Sequence, residues 1–223
     1  MKPIVWNLVE LAEELARIHG EVLVCTKCEL HQGRTKAVPG EGPINAKVMF
    51  VGEGPGEKED LEGRPFVGAA GKFLTELLAS VGLERSSVFI TNIVKCRPPG
   101  NRAPKQGEVD SCYAYLQDQI RLVAPRIICP LGTPAIKTVL GPEYSVSQVH
   151  GRPFKRDDRT VLPLYHPAAA LYDGSLRSVQ LEDFRILKQL LDGETPGNQS
   201  GDTPGNQSGD TTSGTSEQLQ KWM

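Results

Sequence analysis

Short apolar runs alternate with helix-patterned segments along most of this chain of 223 residues. Four runs are rich in β-branched residues and lie between turn residues, as buried strands do: residues 47–52, 87–94, 126–132 and 160–166. Helical spacing of apolar residues follows them, at residues 73–81, 109–120, 135–140 and 179–191. Strands and helices that alternate in this way pair in parallel. The sequence therefore predicts the α/β class, as a three-layer α/β/α sandwich around a central four-stranded parallel sheet.

The two ends of the chain differ in character. Asn7 and Glu10 have the spacing of a capping box, and the apolar residues that follow predict a helix that stops at Gly20. Near the other end the eight residues TPGNQSGD occur twice in succession, with scarcely an apolar side chain. Such a segment buries too little surface to offset its ordering entropy. We expect one folded domain over residues 1–191 and a disordered tail over 192–223, which leaves room for a replication or repair partner to bind.

The charge balance excludes a protein that covers DNA through a strongly basic surface. The chain has 25 basic and 27 acidic residues, for a formal net charge of −2. Residues 192–223 hold five acidic residues and one basic residue, so residues 1–191 carry 24 basic and 22 acidic residues and the predicted domain is close to neutral. Phosphate neutralisation drives non-specific DNA binding, so any such binding should be modest and sensitive to salt. Because no apolar run has the length of a membrane span and no secretory signal is recognisable, we expect a cytoplasmic protein without membrane contact. We also expect a monomer.

The loop after the first strand is glycine-rich but does not suit a phosphate. Ligands of open α/β sheets bind at the carboxyl ends of the strands, which directs attention to residues 52–60. This loop lacks the Gly-Lys-Ser/Thr run that opens the helix of a phosphate-binding loop, and its acidic residues would repel a phosphate. The sequence therefore argues against hydrolysis of a nucleoside triphosphate. It favours a ligand that becomes positively charged during the reaction.

Four of the five cysteines have the arrangement of a metal site. Cys25 and Cys28 form a C-x2-C pair in a loop, whereas Cys96 ends a strand and Cys112 lies in the next predicted helix. In a reducing compartment, clustered cysteines more often bind metal than form disulfides. The spacing leaves both zinc and an iron–sulfur cluster open. Cys129, inside the apolar run IICP, is expected to be an ordinary buried cysteine.

Several motifs occur here in an order that resembles the family 4 uracil-DNA glycosylases: the C-x2-C pair, residues 52–74, residues 91–104, Cys112 and HPAAAL at 166–171. The resemblance implies the uracil-DNA glycosylase-like fold and hydrolysis of the N-glycosidic bond of deoxyuridine in single- or double-stranded DNA. It implies a monofunctional enzyme of base excision repair, associated with the nucleoid. It also implies a 4Fe-4S cluster on Cys25, Cys28, Cys96 and Cys112.

The resemblance assigns the acidic residues of the first loop. Glu53 matches the acidic position of the family's first motif, where it would activate the attacking water and stabilise the sugar cation. Gly54 stands where some other glycosylase families carry Asp or Asn, so the water would depend on Glu53 and the backbone. Glu59 has two interpretations. It either stands near C5 of the base and excludes the methyl group of thymine, or is a solvated loop carboxylate.

Three further matches would hold the uracil. Asn92 matches the base-reading asparagine, whose amide offers an acceptor to N3–H and a donor to O4. Phe66 matches the aromatic residue on which the flipped base stacks. His166 matches the histidine that hydrogen-bonds O2 and supports the developing anion.

Contacts with DNA are assigned to two segments. Leu171 matches the wedge residue that enters the base stack. A basic strip beside the cysteines would contact phosphates, with an ordinary solvated loop as the alternative; it comprises Lys95, Arg97, Arg102 and Lys105.

A second class of function is also open, namely a non-catalytic iron–sulfur module that binds nucleic acid or a polymerase partner. The set Glu53, Asn92 and His166 favours the enzyme, since a binding module would not need it.

Overall fold

A computed structural model describes residues 6–193 of the chain. None of the helices in this part is long and apolar enough to cross a membrane. The predicted tail over 192–223 lies outside the described residues except for its first two positions, so its disorder stays a prediction.

The strands form one sheet with the order β2-β1-β3-β5-β4. They are β1 (Val48–Gly52), β2 (Phe89–Asn92), β3 (Ile127–Pro130), β4 (Phe154–Arg156) and β5 (Arg159–Val161). Strands β2, β1, β3 and β5 are parallel, which confirms the predicted four-stranded parallel sheet. Strand β4 adds an antiparallel edge that the sequence did not predict, because its three residues are partly or fully exposed and form no apolar run.

The fourth predicted strand is shorter than expected. Residues 160–166 read as one strand, but β5 ends at Val161. Pro163 follows closely and has no N–H to donate to the ladder. An isolated bridge between Leu131 and Leu164 continues the pairing toward the carboxyl edge, where His166 lies.

The α-helices flank this sheet. In chain order they are α1 (Leu8–Val24), α2 (Leu30–Gly33), α3 (Glu57–Glu62), α4 (Ala69–Ser80), α5 (Gln106–Val123), α6 (Thr133–Val139), α7 (Val146–Val149), α8 (Ala169–Tyr172) and α9 (Leu176–Asp192). Short 3-10 turns occur at Arg85–Ser87 and Pro99–Asn101.

Two hydrophobic clusters make the sandwich three layers deep. Successive side chains of a strand point to opposite faces. Met49 and Val51 of β1 therefore pack with α1 and α5, whereas Val48 and Phe50 pack with α4 and α9. Every residue of β1 is buried, as expected for a central parallel strand covered on both faces.

Helix α1 confirms one end of its prediction and corrects the other. The Asn7 side chain accepts from the backbone of Val9 and Glu10, and Glu10 closes the capping box. The helix does not stop at Gly20 but continues to Val24. Burial of Val22 against the core extends the helix and offsets the cost of an interior glycine, about 1 kcal/mol.

Candidate active site and cysteine cavity

The carboxyl ends of β1 and β2 bring Gly52 and Asn92 side by side, because the two residues are partners in the parallel ladder. A Cβ atom on Gly52 would clash with Asn92 Oδ1 and would lie 2.8 Å from the ring of Phe66. The Asn92 amide and the Phe66 ring therefore pack directly over Gly52, where only a glycine fits. Two of the residues assigned to uracil meet there.

The Asn92 amide is buried with an unpaired acceptor. The residue is 2% exposed, and its Oδ1 has no hydrogen-bond partner among the described residues. A buried acceptor without a donor costs about 1–3 kcal/mol. Such a cost is understandable at a site where a ligand supplies the donor, and the close approach to Gly52 places this oxygen at the carboxyl ends of β1 and β2.

Phe66 forms a wall of the pocket in a constrained conformation. Its φ of 50° lies in the left-handed region, which is uncommon for residues other than glycine. Gly71 of α4 permits this turn, since a Cβ there would overlap the Phe66 carbonyl. The Phe66 and His166 ring centroids are 5.4 Å apart with a tilt of 30°. The structure thus brings together Phe66, Asn92 and His166, which lie far apart in the sequence.

The His166 imidazole is neutral at physiological pH. Burial lowers its pKa from 6.5 to about 4, although the nearby Glu59 carboxylate acts in the opposite direction. Its Nδ1 accepts a hydrogen bond from the backbone N–H of Ala168, at 3.2 Å. A neutral imidazole that accepts at Nδ1 carries its proton on Nε2. His166 therefore presents a donor at Nε2.

Glu53 provides a partly buried carboxylate directly after the pocket floor. Burial raises the pKa of this side chain above its ordinary value of 4.5. Its backbone carbonyl accepts from Val94 N, which fixes the loop against the end of β2. Gly54 leaves no room for a longer side chain without movement, since a Cβ there would lie 2.9 Å from Val94 Cγ2. Glu53 is thus the carboxylate that this turn offers.

Glu59 is engaged by the backbone. Its Oε1 accepts from Val67 N and Gly68 N, both at 2.8 Å, and its Oε2 accepts from Gly56 N at 3.1 Å. The interpretation as a solvated loop carboxylate is therefore wrong. The side chain clamps the first loop to the segment that follows Phe66, and its contact with the base stays a prediction.

The four residues of the basic strip differ in burial and in their hydrogen-bond partners. Lys95 is 1% exposed and points into the interior, so its assignment to a phosphate-binding strip is wrong. Arg102 donates two hydrogen bonds to Glu108 at the start of α5, at 2.6 and 2.9 Å, so part of its guanidinium is already paired within the protein. Arg97 lies against Asn101, and Lys105 is exposed with a weak ion pair to Glu29.

Leu171 lies on α8, just beyond His166, and is 50% exposed. An apolar side chain at this position has the exposure that a wedge residue needs. Its neighbour Tyr172 is also exposed.

The four predicted cysteines line one cavity between α1, α5 and the end of β2. Burial raises the pKa of the Cys96 and Cys112 thiols, and interactions among the cysteines act in the same direction. The Arg34 guanidinium donates to Cys96 Sγ at 3.1 Å, a contact that the sequence did not predict. Cys129 is buried in β3 away from this group, as expected. A cavity lined by thiols from separate segments fits a cysteine-bound group.

A second set of polar contacts joins α9 to His150 and to the backbone of His166. His150 Nδ1 lies 3.0 Å from a carboxylate oxygen of Asp183, and the His150 ring is 4.7 Å from the ring of Tyr165. Burial raises the pKa of Asp183 to about 6, while the contact with His150 lowers it. Gln180 lies within 3.5 Å of the His166 carbonyl. Asp183 and Gln180 of α9 thus contact His150 and the His166 backbone, which the sequence pattern could not reveal.

The fold and this site fit the uracil DNA glycosylase superfamily, and the family model of that superfamily matches residues 39–188. A type-4 uracil-DNA glycosylase of Sulfurisphaera tokodaii is 49% identical over 187 residues, which are 80% of this chain and 85% of that protein. Those of Archaeoglobus fulgidus and Thermotoga maritima are 43% and 44% identical, each over 82% of this chain and over 96% and 97% of their own lengths. The chain belongs to the type-4 uracil-DNA glycosylase family, as the motifs predicted.

Proposed function

We propose that this protein extracts uracil from DNA and hydrolyses its N-glycosidic bond, leaving an abasic site. The observation that carries the proposal is the buried, unpaired Oδ1 of Asn92 above the floor at Gly52. This function agrees with the family of the chain. A non-catalytic module would have no use for a costly unpaired acceptor beside a neutral histidine and a carboxylate.

Base reading rests on the Asn92 amide and the Phe66 ring. Uracil places N3–H opposite Oδ1 and its O4 opposite the amide nitrogen, so both groups are satisfied. Cytosine places a lone pair at N3 and a donor at C4, which is the wrong pattern for this amide. Stacking on Phe66 adds about 1–3 kcal/mol for any base, so the ring supplies affinity and the amide supplies selectivity.

Bond cleavage uses the two remaining groups. Water oxygen bonds to C1′ as the C1′–N1 bond breaks, and the electron pair of that bond leaves with uracil as an anion. His166 Nε2–H donates to O2 of the base and stabilises this anion. The Glu53 carboxylate stabilises the positive sugar and accepts a proton from the attacking water. The half-buried position of Glu53 strengthens its interaction with the cation.

DNA binding is assigned to exposed residues around the pocket. Leu171 enters the space that the flipped uracil leaves, and Arg97 and Lys105 contact phosphates, with a smaller share for Arg102 because of its pairing with Glu108. We further propose a monomer in the nucleoid and a tail over 192–223 that takes no part in excision but offers a site for a repair partner.

We also propose a 4Fe-4S cluster on Cys25, Cys28, Cys96 and Cys112. Within residues 6–193, no three His, Cys, Asp or Glu side chains are placed to hold a single metal ion, although these four thiols share one cavity. A single zinc ion needs sulfur atoms at about 2.3 Å, whereas a cluster of several irons spans a wider ring of thiolates. When bound, the cluster supplies a cross-link between the loop of the C-x2-C pair and the strand–helix unit that begins at Cys96.

One experiment tests the activity. The iron-loaded protein is incubated with a single-stranded oligonucleotide that contains one uracil, and the product is treated with alkali. Cleavage at the uracil supports the proposal. An uncut strand, with iron content and absorbance showing an intact cluster, would contradict it. The same oligonucleotide with cytosine at that position serves as the control.

A further inference from the structure

Phe66 is fixed in its uncommon backbone conformation by contacts on both sides of it. Its φ of 50° is one that residues other than glycine rarely adopt, and such a conformation persists only where neighbouring groups hold it. On the far side, the Glu59 carboxylate accepts from the next two backbone N–H groups. On the near side, the carbonyl of the buried Pro65 accepts from Arg85 Nη2 at 2.6 Å. Arg85 therefore holds one end of the turn that places the Phe66 ring.

The Glu41 carboxylate keeps Arg85 in this position. Arg85 Nε and Nη2 donate to Glu41 Oε1 at 3.0 and 2.6 Å, and the two side chains are only 21% and 26% exposed. Charge-assisted bonds from a planar guanidinium restrict its orientation, and partial burial reduces their screening by salt. Glu41 is itself fixed to β2, because its backbone exchanges two hydrogen bonds with Ile90, at 2.9 and 2.8 Å. These contacts join the turn at Phe66 to the strand that carries Asn92.

We infer that Arg85 is a positioning residue for uracil, which holds the Pro65 carbonyl and thereby the Phe66 ring in the orientation on which the base stacks. Glu41 holds Arg85 in turn. The inference rests on the proposed uracil excision and deepens it, because it names a residue outside the pocket on which affinity for the base depends. An ion pair that served stability alone would not affect base affinity in the folded protein.

Arg64 offers a matched control, because it pairs with the same carboxylate. Its Nε donates to Glu41 Oε2 at 2.8 Å, and its side chain is 61% exposed. Arg64→Met and Arg85→Met therefore each remove one arginine from Glu41. Among the contacts of the described residues, only Arg85→Met removes the bond to the Pro65 carbonyl.

Base affinity is measured without cleavage in the iron-loaded proteins. A single strand with one 2′-fluoro-2′-deoxyuridine, whose fluorine destabilises the sugar cation and slows bond breakage, is compared with the same strand carrying cytosine. We expect Arg85→Met to lose at least about fivefold of the wild-type preference for the uracil strand, the lower end of what one base–aromatic contact supplies. Affinity for the cytosine strand should not change, and the preference of Arg64→Met should stay within about twofold of wild type.

A double-mutant cycle with Phe66→Ala separates positioning from a general loss of structure. Single-turnover excision should fall at least about fivefold in Arg85→Met, but less than about twofold further when the Phe66 ring is already absent. A loss of equal size in both backgrounds would overturn the inference, because Arg85 would then act on stability or on DNA. Wild-type preference and excision in Arg85→Met would overturn it as well. Failure of the wild type to excise uracil would instead defeat the proposed function.

Glu41→Gln decides the matter if Arg85→Met does not fold. The amide keeps the size of the side chain but removes the charge that orients the guanidinium. We expect this variant to lose about twofold or more of the preference for the uracil strand, and to lose none further when combined with Phe66→Ala. A wild-type preference in Glu41→Gln would contradict the role of the carboxylate and, with it, the inference.

Discussion

Burial sets the chemistry of the single residues around the pocket. It leaves the Asn92 oxygen without a donor, holds His166 neutral with its proton on Nε2, and raises the pKa of Glu53. Each effect follows from removing a polar group from water, which penalises an unpaired acceptor and the charged form of an ionisable group. The residue types were visible in the sequence, but their burial and protonation needed the fold.

Asn92→Asp should reduce uracil excision by about 10²-fold or more, because a carboxylate cannot donate to O4 and repels the departing anion. The rate is measured in single turnover on a uracil-containing oligonucleotide. Affinity for uracil-free DNA, which does not use the pocket, is the control and should be unchanged. Wild-type kinetics in the variant would remove Asn92 from the site.

The pH dependence of excision separates Glu53 from His166. Glu53 acts as a carboxylate and its pKa is raised above 4.5, so the rate should fall as the pH is lowered through that raised value. The pKa of His166 is about 4, so its imidazole stays neutral and should give no inflection near 6.5. Rates in wild type and Glu53→Gln test this. An acid limb above the pKa of His166, about 4, that survives in Glu53→Gln, or an inflection near 6.5 that His166→Asn removes, would contradict the assignment.

At the level of elements, the parallel order of the strands assembles the site. Three segments that are distant in sequence end at one edge of the sheet, as the alternation of strands and helices predicted. The sequence could not reveal the short edge strand β4, the continuation of α1 past Gly20, or the buried direction of Lys95. In each case tertiary packing decides, and a local pattern of apolar residues does not record which neighbours a segment meets.

Gly52→Ala tests the floor of the pocket. The added methyl group would clash with Asn92 Oδ1 and press on Phe66, so uracil excision should be lost, and the free energy of unfolding should fall by about 1–3 kcal/mol. Gly20→Ala is the matched control. Nothing lies within 4 Å of its added Cβ in the interior of α1, so this variant should be more stable by about 0.5–1 kcal/mol, with unchanged excision. Undiminished excision by Gly52→Ala would show that the base lies elsewhere.

On the scale of the whole molecule, the acidic excess and the folded domain belong to different parts of the chain. The tail over 192–223 holds five acidic residues and one basic residue, while the Asn92 site, the cysteine cavity and both hydrophobic clusters lie within residues 6–193. The near-neutral domain is consistent with an enzyme that gains specificity from a base pocket rather than from a strongly basic surface.

Removal of residues 194–223 should therefore leave excision within about twofold of the full chain. Helix α9 continues to Asp192 and Gly193 caps it with a left-handed conformation, so the cut belongs after 193 rather than after 191. Single-turnover rates and melting temperatures of the two proteins are compared at one salt concentration. A large loss of excision with an unchanged melting temperature would give the tail a direct part in the reaction.

The free base released from DNA is the most direct measure of the central claim, that an amide above Gly52 reads uracil for hydrolysis. Three oligonucleotides that differ only by uracil, cytosine or thymine at one position are incubated with the iron-loaded protein, and released bases are quantified by mass spectrometry. The account predicts free uracil in an amount equal to the abasic sites formed, and no cytosine, whereas the absence of thymine would test the predicted position of Glu59 near C5, because thymine presents the same N3–H and O4 to Asn92. Equal release of cytosine, or abasic sites without free uracil, would contradict it.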